Sequence, residues 1–208
     1  MNIIRVWEDI YRICTQFHLW GIVCDFSGRA GECAMVEDEG LNGWHALFVV
    51  TGQEDNVRER LVYRFGDRYR ILIPKRKLRE RKNGVWSDIV RILFPGYLLI
   101  RGEVSREDYH RFRGIPGLLR FLGDCPEYSE IDAQEMLLLS RMTCNDEIIG
   151  YSEVLVENGR VRVIDGPLLS LEGIINKIDP RKGRAKVCLN FLGEERLVDL
   201  GIRMLQPV

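Results

Sequence analysis

Histidine is nearly missing from this chain: three occur in 208 residues, and none stands near a serine or cysteine and an acid in a pattern that would build a nucleophile with its base. Paired cysteine spacing is missing too. The six cysteines, Cys14, Cys24, Cys33, Cys125, Cys144 and Cys188, are irregularly spaced and contain no CxxC pair. They read as small hydrophobes of a reducing compartment rather than as a disulfide framework. Cys14, His18, Cys24 and Cys33 come nearest to a zinc set, and their gaps do not match the short paired spacings of structural zinc sites. The expectation is therefore no catalytic residue, no metal and no cofactor. No apolar run approaches the roughly 20 residues that span a bilayer. The opening stretch MNIIRVWEDIYRIC places acids where a secretory signal needs an apolar core. A cytoplasmic location and no membrane partner follow as expectations.

A dominant charge is absent as well. The formal net charge is −1, but its distribution is uneven. Residues 1–43 carry a net −4, residues 44–140 a net +3, residues 141–157 a net −3 and residues 158–208 a net +3. Two mildly basic modules separated by an acidic connector suggest two domains, each able to meet a polyanion. The composition, 46% hydrophobic and 29% charged, is that of a folded soluble chain. Charge is densest in PKRKLRERKNG, Pro74 to Gly84, where seven of eleven side chains are charged and six of those are basic. Shortly behind it stands the apolar RILFPGYLLI, Arg91 to Ile100.

From Trp44 onward the pattern is regular. Ala46 to Val50 is a continuous apolar run, read as a buried strand. Glu54 to Phe65 carries Val57, Leu61 and Phe65 at helical spacing with charges between, and Gly66 stops it. Tyr69 to Ile73 is a second strand. Asn83-Gly84 is a tight-turn signal, which makes the basic segment one arm of a projecting hairpin. Tyr97 to Ile100 is a third strand, Ser105 to Asp108 looks like a capping box opening a helix to about Arg113, and Leu118 to Leu122 is a fourth strand. A further helix is expected from Asp132 to Arg141. The order βαββαβα predicts a ferredoxin-like α+β sandwich. After the connector, Val154 to Val163 is another Asn-Gly hairpin candidate, and the short strands that follow, broken by Asp165-Gly166-Pro167, Asp179-Pro180 and Lys182-Gly183, predict a small β-barrel.

Taken in order, WHALFVVTGQEDNV, LFPGYLLI and IPGLLRFLG resemble the N-terminal domain of NusG-type transcription elongation factors. VRVIDGPLLSLEGIINKID and KGRAKVCLNFLGEERLVDL resemble the KOW domain that follows it. The resemblance spans residues 44–208. It implies an α+β chain: a ferredoxin-like N-terminal (NGN) sandwich over 44–141, a linker over 142–157 and an SH3-like β-barrel (KOW) over 158–208. PKRKLRERKNG, NDEIIGYSEVLVENG and GEERLVDLGI are most similar to the LoaP type, a specialised paralogue that acts as an operon-specific antiterminator.

What the resemblance implies is a monomeric, non-enzymatic factor whose NGN domain docks on the clamp of the largest RNA polymerase subunit. The matching positions are Phe48, Phe94, Pro95, Tyr97 and Leu99. Phe-Pro-Gly suits the opening of a strand at a sheet edge, and aromatic anchors dominate interfaces. The alternative for Phe48 and Leu99 is an ordinary core role. The segment Arg106 to Arg113 would face the opposite side of the polymerase channel. A nascent leader RNA hairpin is the second partner, met through the basic turn Lys177, Arg181, Lys182, Arg184 and Lys186, with help from Lys75, Arg76, Lys77, Arg79, Arg81 and Lys82; the alternative for these is a solvated hairpin.

The family carries an aromatic residue and a basic residue in the KOW strand where this chain has Leu192 and Glu194. That departure weighs against ribosome contact, although a general NusG meeting Rho or a ribosome, or a ribosome-associated KOW protein, stays open as an alternative. Residues 1–43 have no counterpart in the family, and the expectation is an upstream choice of start, with initiation at Leu41.

Overall fold

A computed structural model describes residues 41–122, 130–144, 147–157 and 160–205. The cysteine–histidine set near the N-terminus, the extension itself and the Asn158-Gly159 turn lie outside the described residues. The apolar run forms β1 (Trp44–Val49). Next comes α1 (Glu54–Phe65), which starts with two acids in its first turn and ends at Gly66, whose φ of 60° suits a residue without Cβ. β2 (Arg70–Leu72), β3 (Lys75–Lys82), β4 (Val85–Ile92) and β5 (Tyr97–Arg101) follow. Then α2 (Arg106–Arg113), β6 (Leu118–Phe121) and α3 (Ala133–Thr143) complete the first domain.

Four of these strands make one antiparallel sheet, ordered β2-β5-β1-β6. Side chains alternate across a strand, so Leu47, Val49, Leu98 and Ile100 point to one face. There they pack with Val57 and Leu61 of α1 and Phe112 of α2 in a single cluster. Each large apolar side chain fully buried in it stabilises the fold by roughly 2 kcal/mol. Ala46, Phe48, Tyr97 and Leu99 point to the other face, with Ala46 paired to Leu99 and Phe48 to Tyr97. The four-stranded α+β sandwich expected from the pattern is the fold observed.

β3 and β4 leave that sheet as a hairpin of eight paired positions. Its turn residues Asn83 and Gly84 have φ of 52° and 83°, the left-handed pair that a tight hairpin turn needs. The hairpin gains a third strand, β7 (Ile148–Ile149), parallel to β3.

The second domain is a curled, open five-stranded sheet, ordered β10-β11-β12-β8-β9. Its strands are β8 (Ser152–Glu157), β9 (Arg160–Asp165), β10 (Ile175–Asp179), β11 (Arg184–Phe191) and β12 (Glu194–Met204). β12 pairs antiparallel with β11 and then, past Gly201, parallel with β8, so one long strand joins both halves. Among the described residues it is a curled half-barrel, consistent with the KOW-type barrel the sequence implies. The segment read as a linker is also more structured than its acidic composition suggests. Ser152–Glu157 is a ladder strand of the second domain, which therefore begins before residue 158, and Ile148–Ile149 completes the hairpin sheet of the first. Asn42–Val208 form one compact unit. No helix among the described residues is long and apolar enough to cross a membrane.

Candidate functional site

The Phe94-Pro95-Gly96-Tyr97 stretch is a turn closed by Tyr97 N–H donating to Phe94 O over 3.2 Å. Proline at its second position and glycine with φ of 86° at its third are the type II arrangement. The turn is pinned twice. Gly96 N–H donates to Glu54 Oε1 at 2.8 Å, a carboxylate buried at the start of α1, and Val49 N–H donates to Gly96 O at 2.9 Å. This clamp sets Phe94 and Tyr97 beside Phe48, whose ring lies 5.5 Å from that of Tyr97. Pro95 is exposed, Phe48 and Tyr97 are half-buried, and Leu99 is wholly buried beneath them.

Phe94 is only 4% exposed, and the reason lies in the second domain. Phe191, the last residue of β11, stacks on it at 3.9 Å with an interplanar angle of 8°. The same ring meets Tyr97 edge-on at 5.4 Å. Arg196 of β12 lies 5.1 Å over the Tyr97 ring and donates from Nη2 to the Tyr97 hydroxyl at 3.2 Å. Beside this stack, Met136, Leu139 and Met142, three apart on α3, line a small cavity with Phe94, Leu189 and Phe191. Glu135, one position before that stripe, closes the arrangement. Its carboxylate accepts from Leu192 N–H at 2.8 Å and Gly193 N–H at 3.0 Å. Those two amides are free because Leu192 and Gly193, with φ of 57° and 74°, form the tight turn between β11 and β12.

The Phe94 and Tyr97 part of this face is thus covered by the second domain. Phe191, Arg196 and Glu135 carry that contact and were not singled out in the sequence. Period-two alternation places Phe191 with the buried set of β11, but nothing local says that its partner lies nearly a hundred positions away.

The basic candidates divide into three groups. Arg76 and Arg184 sit in the seam between the domains. Arg76 Nη1 donates to Asp199 O at 2.7 Å, and Arg184 pairs with Glu80 at 3.4 Å and Asp199 at 3.5 Å. Burial lowers the Arg76 guanidinium's affinity for its proton; Asp199 offsets this and Arg184 adds to it. Lys75 is held by Asp55 at 2.7 Å. The remainder are exposed: Lys77, Arg79, Arg81 and Lys82 on the hairpin, and Lys177, Arg181, Lys182 and Lys186 on the β10–β11 ribbon. On that ribbon Lys177 and Lys186 are direct cross-strand partners. Like charges placed opposite one another destabilise a sheet, and an anion between them removes the penalty.

The helix expected to face away from this surface is anchored by a polar cluster. Ser105 caps α2 by accepting from Asp108 N–H at 3.1 Å. The buried Asp108 carboxylate accepts from Ser105 Oγ and Tyr69 Oη, each at 2.9 Å, and pairs with Arg68 at 3.0 Å and Arg111 at 3.4 Å.

A family model described as the transcription termination factor NusG matches residues 42–140. The chain is 29% identical over 172 residues to the transcription termination/antitermination protein NusG of Thermus thermophilus, covering 76% of this chain and 94% of that one. It is 27% identical over 167 residues to its namesake in Bacillus subtilis, covering 76% and 93%. A solved structure described as a domain interaction in Thermotoga maritima NusG superposes with a TM-score of 0.51 at 26% identity, covering 77% of this chain and 93% of that one.

Proposed function

Because a NusG family model matches residues 42–140 and the described residues have a NusG-like fold, we propose that the chain is a bacterial transcription elongation factor of the LoaP-like, operon-specific antiterminating kind. It acts in the cytoplasm and does no chemistry of its own. Its first domain docks on the clamp of RNA polymerase through Phe48, Phe94, Pro95 and Tyr97, with Leu99 supporting them from below. The second domain meets a structured leader RNA through Lys177, Arg181, Lys182 and Lys186.

One observation carries the reading: Phe94 and Tyr97 already serve as an aromatic docking surface, here for Phe191. A ring that stacks in register on a partner's ring is a preformed anchor, and such anchors dominate interface energetics. The same contact implies that polymerase must displace the second domain. The specialised role is favoured over a general NusG because the β11–β12 turn, where relatives of the general kind meet a ribosomal protein, has Leu192 there, with its amide taken by Glu135.

The test is titration of core polymerase with three proteins. Phe191→Ala uncovers the surface and should bind more tightly than wild type. Phe94→Ala with Tyr97→Ala should bind more than tenfold more weakly than Phe191→Ala, since truncated hot-spot aromatics cost about 2 kcal/mol or more. Equal affinities for all three, with native melting transitions, would sink the assignment of this face. For RNA, Lys177→Ala, Arg181→Ala and Lys186→Ala combined should weaken binding to a leader hairpin and reduce its salt dependence. Arg184 is left out because it holds the seam.

A further inference from the structure

The outward face of the β3–β4 hairpin is built differently from its inward face. Alternation assigns Arg76, Leu78 and Glu80 to one side, and that side faces the second domain: Arg76 bonds to Asp199, Glu80 to Arg184, and Leu78 is buried. Lys77, Arg79 and Arg81 stand on the opposite side, all exposed. The register adds Val90, Asp88 and Trp86 to them, as the respective cross-strand partners. Trp86 is 37% exposed, Val90 46%, and Val85 at the tip 69%. Asp88, the acid on this face beside three cations, accepts a hydrogen bond from Tyr151 Oη at 3.0 Å. The Arg79 guanidinium lies 5.3 Å over the Trp86 ring.

On this projecting ribbon an exposed tryptophan stands beside three exposed cations, of which Arg81 also donates from Nε to Gly84 O at 3.0 Å. The chemistry of this face suits one class of ligand. Every nucleobase has a π-face that stacks on an indole, and the phosphates on either side need neutralising charges at hairpin spacing. We propose that the outward face of the β3–β4 hairpin binds single-stranded nucleic acid, with an unpaired base stacked on Trp86 and the flanking phosphates held by Lys77, Arg79 and Arg81. Arg79 lies over the Trp86 ring at 5.3 Å, and the ring's exposed part is where the base would stack. A duplex offers no free base face, so it is the poorer ligand. The proposal rests on the reading that the hairpin meets nucleic acid, but it names a separate site from the β10–β11 ribbon and makes no use of the polymerase surface.

The experiment uses the full chain and three fluorescein-labelled probes: a 12-nucleotide oligouridylate, a 12-nucleotide oligothymidylate and a blunt 12-base-pair DNA duplex, titrated by anisotropy at several salt concentrations. Wild type should bind the single strands several-fold more tightly than the duplex. A preference between the first two identifies RNA or DNA as the natural strand. Trp86→Ala should weaken single-strand binding about tenfold with an unchanged salt slope, because stacking releases no counterions, while Trp86→Phe should keep most of the affinity. Lys77→Ala, Arg79→Ala and Arg81→Ala combined should lower the slope by about two units, at roughly 0.7 per lost phosphate contact. The Lys177, Arg181 and Lys186 variant should leave oligouridylate binding by the hairpin in place. Three results overturn the proposal: Trp86→Ala and wild type binding alike, the duplex bound as tightly as the single strands, or no oligonucleotide bound at all. The last, with polymerase binding intact, spares the proposed function and leaves this face for an acidic protein surface.

Discussion

Four groups converge on the carboxylate of Asp108: the hydroxyls of Ser105 and Tyr69 and the guanidinia of Arg68 and Arg111. Burial on its own would raise this carboxyl's pKa, but the hydrogen bonds from Ser105 and Tyr69 and the two arginine charges outweigh it and hold the group below the usual carboxylate range. An unfolded aspartate titrates near about 3.9. Asp108 titrates lower when folded, so its contribution to stability is complete above about pH 4 and is lost as pH falls through the folded value. Tyr69 has the opposite sign. Burial first, then Asp108, push its hydroxyl up to about 12. Its contribution is complete below about pH 10 and disappears as pH rises through that folded value. Asp108→Asn should therefore cost roughly 2 kcal/mol at neutral pH, the scale of a hydrogen-bonded charge. Denaturant unfolding of variant and wild type at pH 7 and pH 3 checks this: the gap must narrow in acid, and an equal gap at both would mean that the charge is not what matters.

At the scale of elements, the hairpin shows how alternation sorts residues of one composition into different tasks. Arg76 and Arg79 are three positions apart, yet Arg76→Ala removes the bond to Asp199 and should lower the melting temperature, while Arg79→Ala should not. Gly201 sets how closely the hairpin can approach β12: a Cβ there would stand 2.5 Å from Lys77 O and 2.6 Å from the Tyr151 ring. Backbone cannot retreat as a flexible side chain can. Gly201→Ala should push the two strands apart at a cost of about 1–3 kcal/mol, read from thermal melts. Much of this organisation was legible in the sequence. The Asn83-Gly84 turn and the helix α1 with its glycine stop follow from local spacing, whereas Phe48 and Tyr97 are brought together only by the resemblance to NusG-type factors. The strand β8 was only half read, because Glu153 and Glu157 gave it the look of a solvated connector although Val154 is wholly buried. The two-residue β7 has no local signal; it exists because the edge of β3 was open. The Phe94–Phe191 stack was out of reach for a related reason: each ring obeys its own strand's pattern, and only the docking of two sheets brings them together.

For the molecule as a whole, the consequence is a competition for one surface. If polymerase docks where we propose, it and the second domain compete for Phe94 and Tyr97, and the apparent affinity for polymerase is the intrinsic affinity multiplied by the fraction of open molecules. Among the described residues, the seam buries the Nε–H groups of Arg76, Arg184 and Arg196 with no protein hydrogen-bond partner, and burying a polar group without such a partner weighs against the aromatic stacking. Glu135 is the residue that tests this balance without touching the docking face. Among the described residues its carboxylate accepts from the Leu192 and Gly193 amides of the covering domain, and charge-assisted bonds of this kind contribute about 1.5–3 kcal/mol. Glu135→Ala should open the molecule and raise apparent polymerase affinity by about tenfold, and Glu135→Gln, which keeps one acceptor, should fall between. Opening is read independently by limited proteolysis of the full chain, whose cleavage should quicken in the same order. By linkage, polymerase added to wild type should quicken that cleavage as well. If Glu135→Ala speeds cleavage but leaves polymerase affinity unchanged, the second domain is a neighbour of the docking face and not its cover.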